Sequence, residues 1–281
     1  MRVVEPMEIG LLVWADENAA GTLHRLRSFG VSAGQLGVGG DLALAGKEEQ
    51  WGQAFSAQPD IAIHTAVCSY LGEDYADIPT VTRTVGLVPA GTRAERVART
   101  KAVAEFAASV GIGSVACHVG VVPESHDPAY GDVRDLTRDL CDYCGERGQT
   151  FALETGQESA EHLLAFIEDV DRPNLKVNFD PANMVLYGTG DPIEALQKLG
   201  HKVISTHCKD GDGPDPAKPG ALGQERTLGL GSVGIPRFVQ KLREIGYTGV
   251  LSIEREEPDL AVREADIVTA VQLLRKLTGR A

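Results

Sequence analysis

The sequence predicts an α/β fold, a single (β/α)8 TIM barrel spanning residues 1–281. Three observations carry that expectation. Apolar, β-branched segments alternate with helical segments eight times, with no linker or low-complexity stretch between them. Helix-to-strand connections are short, as at Gly148-Gln149, His201 and Tyr247-Thr248, whereas strand-to-helix connections include the long stretches 68–91, 121–131 and 211–235. Finally, four strands change from apolar to reactive at their C-terminal ends, the end at which a barrel of this kind builds its site.

Each unit has its own local signal. Residues 8–14 read as the first strand, followed by a helix over 18–29 that Gly30 ends. A weaker second strand covers 31–38 and a helix 47–57. The third strand, 60–67, places Ala62, His64 and Ala66 on one face and Ile61 and Ile63 on the other. Thr92-Arg-Ala-Glu95 has the spacing of a capping box and opens a helix to about residue 110. The fourth strand, 113–120, shares Ala116, His118 and Gly120 on one face, and a helix follows over 132–147. The fifth strand, 150–156, leads to a helix over 159–169, and the sixth, 175–180, to one over 192–199. The seventh strand is Lys202-Val-Ile-Ser-Thr-His-Cys-Lys-Asp210. Its helix begins near Pro236, which suits a first turn, and carries the apolar stripe Phe238, Val239, Leu242 and Ile245. The eighth strand, 249–256, and a helix over 260–277 complete the count.

Composition narrows the function. Apolar residues make up 43% of the chain, enough for a sizeable core, and the formal net charge of −13 opposes a phosphate-gripping nucleic-acid surface. No run approaches the length of a membrane-spanning helix, so neither nucleic acid nor membrane is an expected partner. Met1-Arg-Val-Val-Glu-Pro-Met7 lacks the apolar core of a signal peptide, and five irregularly spaced cysteines suit reduced thiols. A cytoplasmic protein is expected, with self-association into a homo-oligomer left open.

Strand parity singles out the chemistry. Glu154 shares its face with Ala152, Asp180 with Asn178, His207 with Ser205, and Glu254 with Ser252. The opposite faces carry Phe151, Leu153, Val177, Phe179, Ile204, Thr206, Leu251 and Ile253, which would pack on helices. Three carboxylates and an imidazole brought together at strand ends repel one another unless a positive charge lies between them, and a divalent cation is the simplest answer. This donor set suits Mn²⁺ best, with Mg²⁺, Co²⁺ or Zn²⁺ as other occupants. The alternative is four unrelated polar residues in separate salt bridges; matching parity in four consecutive units favours the cation.

Ala152-Leu-Glu-Thr-Gly156, Asn178-Phe-Asp-Pro-Ala-Asn183, Thr206-His-Cys-Lys-Asp210 and the stretch from Leu228 through Glu256 resemble the xylose isomerase-like barrels, specifically the sugar phosphate isomerase/epimerase family with its ketose 3-epimerases and inosose isomerases. The resemblance covers nearly the whole chain. It implies metal ligands at Glu154, Asp180, His207 and Glu254, and proton transfer by Glu154 and Glu254 on opposite substrate faces. Two departures stand out. Leu230 and Gly234 occupy positions where the family's glycine-rich run commonly carries acids. Ala160 stands where the ketose 3-epimerases place a substrate-binding glutamate, which argues against a simple ketohexose.

The implied activity is a metal-dependent isomerase or epimerase of a sugar, keto-sugar or inositol-type polyol, through an enediolate that the metal stabilises. A lyase that dehydrates a cyclic keto-polyol would share the first proton abstraction. A phosphodiesterase would need a basic groove, and a non-catalytic sugar-binding barrel would not need the four ligands. His64, His118, Asn183 and Lys209 are candidates for binding substrate oxygens, although each histidine fits a supporting hydrogen bond equally well. Lys209, inward and two residues beyond a ligand, requires an anionic partner. Trp14 reads as either a sugar-stacking wall or a core residue, and Glu256 as a support sharing the parity of Glu254. Gly229-Leu-Gly-Ser-Val-Gly234 matches a dinucleotide fingerprint but lacks the preceding strand, and Cys141-Asp-Tyr-Cys144 falls within a helix without a second pair. Cys208 points toward the helices.

Overall fold

The computed structural model describes residues 5–280; residues 1–4, which include most of the N-terminal stretch read above, and residue 281 lie outside it. Eight parallel strands close into a barrel: β1 (Ile9–Trp14), β2 (Ala33–Val38), β3 (Ala62–Cys68), β4 (Ser114–Cys117), β5 (Thr150–Glu154), β6 (Leu175–Phe179), β7 (Val203–Cys208) and β10 (Leu251–Ile253), which returns to β1. Around it run α1 (Ala19–Ser28), α2 (Glu48–Ala57), α4 (Arg93–Ser109), α5 (Tyr130–Gly145), α6 (Ala160–Val170), α8 (Pro192–Leu199), α9 (Ile235–Glu244) and α10 (Leu260–Thr278). The fold is thus the single (β/α)8 barrel that the alternation predicts.

Two additions lie in the long strand-to-helix connections. Residues 68–91 contain the short helix α3 (Ile78–Thr84), and residues 211–235 carry β9 (Gln224–Arg226), which pairs antiparallel with β8 (Asp210–Asp212). A further short helix, α7 (Pro181–Tyr187), follows β6 directly. Helix starts are fixed by side-chain caps: Asn18, Asp77, Ser159, Asp180, Asp191 and Asp259 each accept a first-turn backbone N–H. The capping box expected at Thr92 does not form. Thr92 has helical dihedrals and caps nothing; its hydroxyl donates to the Pro89 carbonyl at 3.5 Å.

The main core lies between strands and helices, where Phe151, Phe166, Phe179, Phe238, Trp51 and Phe106 are fully buried. A smaller apolar group, Leu12, Val67, Ala116 and Ala152 with Ile204 against it, lies inside the barrel. Two bulges correct the simple alternation. Gly34 pairs with Ile63 but Gln35 with Thr65, so His64 is an extra residue in β3. Val177 pairs with Val203 but Asn178 with Ser205, so Ile204 is extra in β7. Parity therefore resets beyond each bulge: Val67, not Ala66, faces inward, and Ile204 joins the interior group instead of the helix layer.

Candidate metal centre and active site

Glu154 ends β5, Asp180 follows β6, His207 lies in β7 and Glu254 follows β10. Their side chains meet at the C-terminal end of the barrel, and one donor atom from each lies within 4.8 Å of the others. His207 Nδ1 lies 2.9 Å from Glu254 Oε2, 3.2 Å from Glu154 Oε1 and 3.6 Å from Asp180 Oδ2. Donors held at about 2.0–2.2 Å from one cation stand roughly 3–4.3 Å from each other, so these spacings fit a single ion. Asp180 Oδ2 and Glu254 Oε2 are buried without a hydrogen bond. Two such orphaned carboxylate oxygens facing an imidazole nitrogen are what a divalent cation would satisfy. The four residues could therefore hold a metal ion.

The remaining polar groups hold these donors in place. Asn183, on α7, donates its side-chain N–H to Glu154 Oε1 at 3.2 Å and its backbone N–H to Asp180 Oδ1 at 3.0 Å. His118 Nε2 lies 3.5 Å from Glu154 Oε1. Lys209, 3% exposed, sets Nζ 3.1 Å from Glu256, 3.4 Å from Glu254 and 3.9 Å from Asp180, which supplies the anionic partner its inward position requires.

Burial and charge compete at the four donors and at Lys209. Burial would raise the Glu154 carboxyl, but the charges of His118 and His207 outweigh it and hold the group below the usual range. Burial also opposes ionisation of Glu254, and His207 and Lys209 overcome it strongly. At Asp180 burial prevails over Lys209 and the carboxyl is raised. Burial disfavours charge on His207 and Lys209, yet facing carboxylates, Glu254 foremost, lift both well above their ordinary values.

Above the four donors opens a cavity of about 680 Å³ whose lining includes Trp14, Tyr75, His118, Tyr187, Lys209 and Glu225. Trp14 is 50% exposed at its wall and is not a core residue. Its ring lies over Gly37, where a Cβ would stand 2.6 Å from the indole, so glycine makes that seat. The 68–91 connection forms one rim and is held firmly: Glu73 accepts the backbone N–H groups of Tyr70 and Gly86, both at 2.9 Å, and Arg96 donates to the carbonyls of Gly86 and Leu71. The opposite rim joins it through Ile78 N–H to Gly220 O at 2.8 Å.

His64 lies elsewhere. As the bulge residue it lines a separate cavity of about 370 Å³, with Gly113 and Gly249 from the N-terminal ends of β4 and β10. Its Nδ1 pairs with Thr65 Oγ1 at 3.0 Å, and burial followed by the charge of His207 lowers its pKa to about 4. The structure thus sets it apart from the C-terminal cavity, where the uninterrupted alternation had placed it. Asp210 is also displaced from chemistry: its carboxylate accepts the N–H groups of Gly211, Gly229, Gly231 and Val233, so the glycine-rich run wraps one buried anion instead of a dinucleotide. At Gly231 a Cβ would stand 2.4 Å from Asp210 Oδ1, and only glycine allows that approach. Cys208, Cys141 and Cys144 are buried free thiols.

Sequence reasoning missed Gln35. It is fully buried on β2, with Oε1 2.8 Å from His207 Nε2 and Nε2 3.1 Å from Asn178 Oδ1. Its signal was an amide standing between Gly34 and Leu36 in an otherwise apolar strand. Tyr75, Tyr187 and Glu225 were missed because they reach the cavity from a loop, the short helix α7 and the short strand β9 inside a long connection, none of which belongs to the barrel's alternation.

Comparison with known proteins agrees with this architecture. Residues 23–277 match the model of the xylose isomerase-like TIM barrel family, and the chain belongs to that family. It is similar to a xylose isomerase domain protein from Planctomyces limnophilus, at 44% identity over 97% of both chains with a TM-score of 0.88. A D-tagatose 3-epimerase-like protein shares the fold at 18% identity over 97% of both chains, with a TM-score of 0.72. An uncharacterized protein of Methanocaldococcus jannaschii is 26% identical over 55% of this chain, which spans about half that relative's length (54%).

Proposed function

We propose that this protein is a divalent-metal-dependent isomerase or epimerase of a sugar, keto-sugar or inositol-type polyol. The observation that carries the reading is the convergence of Glu154, Asp180, Glu254 and His207 Nδ1 at the floor of a cavity of substrate size. When bound, a divalent cation supplies positive charge that stabilises the oxyanion developing as a proton leaves the carbon beside a carbonyl; Mn²⁺ suits the donors best, with Mg²⁺, Co²⁺ and Zn²⁺ as other occupants.

Glu154 and Glu254 come from the fifth and eighth barrel strands and approach His207 Nδ1 from different sides. Glu154 accepts the proton on one substrate face and Glu254 returns one on the other, inverting the centre. Asn183 holds Glu154 in position from the cavity side. Lys209 and His118 donate to substrate oxygens, and Trp14 supplies an aromatic wall for a sugar ring. Carboxylates outnumber basic groups in the lining, with Glu73, Glu154, Glu225, Glu254 and Glu256 against Lys209 and His118, which favours an uncharged substrate over a phosphorylated one. Buried free thiols support a cytoplasmic setting.

The test is a panel of keto-sugars and keto-inositols incubated with Mn²⁺-loaded protein in D₂O and followed by NMR. Deuterium should enter at the carbon beside the carbonyl of the true substrate. Loss of water instead of inversion would mark the dehydratase; no exchange with any member would sink the reading.

A further inference from the structure

Beneath the four donors lies a buried amide network that the proposed proton transfers do not use. Asn178, on β6, places Nδ2 3.3 Å from Glu154 Oε2, and its Oδ1 lies 2.6 Å from Ser205 Oγ and 3.1 Å from Gln35 Nε2. Gln35 Oε1 lies 2.8 Å from His207 Nε2. All four of Gln35, Asn178, Ser205 and His207 are fully buried, so water does not blur which atom donates.

The direction of every bond follows from one end. An ionised carboxylate only accepts, so Glu154 Oε2 takes an N–H from Asn178. That fixes the Asn178 amide with Oδ1 toward Gln35 and Ser205, both of which then donate to it. Gln35 Nε2 is thereby committed as a donor, and its Oε1 faces His207 as an acceptor. His207 must answer with Nε2–H, and in the neutral ring that a metal ion requires this leaves the Nδ1 lone pair directed at Glu154, Asp180 and Glu254.

We infer that Gln35 is a positioning residue for the metal centre: with Asn178 it transmits the orientation of one ligand, Glu154, to another, His207, and sets the histidine tautomer that ligates. The inference rests on the metal reading proposed above. A competing contact makes Gln35 decisive. Asn178 Nδ2 also lies 3.2 Å from His207 Nε2. With Gln35 in place, its oxygen takes the Nε2 proton. Without it, the Asn178 N–H is the group left facing Nε2; it favours a lone pair there and moves the ring proton to Nδ1, the atom the metal needs.

The experiment compares wild type with Gln35→Met and Gln35→Glu. Methionine matches the size of glutamine and removes the acceptor; glutamate keeps it. Mn²⁺ affinity is measured by titration calorimetry, and the His207 ring proton is placed by long-range ¹H–¹⁵N spectra of histidine-labelled protein at matched Mg²⁺. Gln35→Met should bind Mn²⁺ about 10–100-fold more weakly and shift the ring proton toward Nδ1. Gln35→Glu should keep the proton on Nε2 and bind Mn²⁺ more tightly than Gln35→Met, a partial rescue that general disruption of packing would not give, because it restores the acceptor toward His207 and not the donor toward Asn178. Should Gln35→Met not fold, Gln35→Asn, which retracts the acceptor by one methylene, gives the same comparison. Equal Mn²⁺ affinity in the wild type and the acceptor-less variant, or an unchanged Nε2–H signature, overturns the relay and leaves the metal centre standing. Absence of Mn²⁺ binding by the wild type overturns the metal reading itself.

Discussion

Asp180 divides its carboxylate between Asn183 and the centre: Oδ1 accepts the Asn183 backbone N–H at 3.0 Å, while Oδ2 is left 3.6 Å from His207 Nδ1. The helix cap thus aims the free oxygen, and the start of α7 is tied to the four-donor cluster. Glu154→Gln, Asp180→Asn and His207→Gln should each lower metal content measured by elemental analysis. Saturating Mn²⁺ at about 100 times Kd should raise wild-type stability by about 2.7 kcal/mol and the variants by less. Unchanged metal content in all three would refute the ligand assignment.

Glu254→Gln separates proton return from proton removal. Under metal saturation, exchange with solvent should persist on the Glu154 side while epimerisation falls by about 10²–10⁴-fold. Near-wild-type epimerisation would exclude the two-base reading and favour one base or a hydride shift.

The 68–91 connection should act in substrate handling. Replacing it with a short turn should reduce turnover much more than Mn²⁺ affinity, because it forms the cavity rim and supplies none of the four metal-donor side chains. Full activity in the shortened protein would contradict that role.

Glu158 gives a pH signature. It is buried, accepts the Val122 N–H at 2.7 Å, and burial pushes its pKa from 4.5 to about 7. A raised carboxyl leaves the folded state with the extra proton, so stability falls as pH rises from about 4.5 to 7, by up to about 1.4 kcal/mol per pH unit, and levels off above. Glu158→Gln keeps an acceptor for Val122 and removes this slope. Its Tm advantage over wild type should therefore be larger at pH 8 than at pH 5; an equal difference at both would contradict the assignment.

Asp210→Ala should strip four backbone N–H groups of their shared acceptor and lower stability by roughly 3 kcal/mol or more. Chemical denaturation measures this, and a change below about 0.5 kcal/mol would show that the glycine-rich run does not depend on the anion.

The barrel and the four donors were legible because both rest on period-two patterning. The alternation from Phe151 to Glu154 and from Val177 to Asp180 survives intact in the structure. What failed to show in the sequence involves departures from that period or contacts across the ring. The extra residues His64 and Ile204 look like any other strand position, and only their pairing shows that they are bulges. The bond from Gln35 to His207 spans 172 positions of sequence, and no local pattern announces it. Asp210 was legible as a charged strand end but not as an anchor, because its partners are backbone N–H groups that any residue type carries.

Ile204 has a consequence for how this chain tolerates change. Val203 faces the helices and His207 the interior, an interval of four that the extra residue makes compatible. Deleting Ile204 would give β7 a cleaner ladder with β6 and a more regular strand. With Val203 in place, the interval to His207 would shorten to three, so His207 would still face inward and Cys208 the helices. What the deletion would remove is the side chain that Ile204 packs against Leu12, Val67, Ala116 and Ala152, so the irregular ladder at this point fills the barrel interior and does not place the four donors.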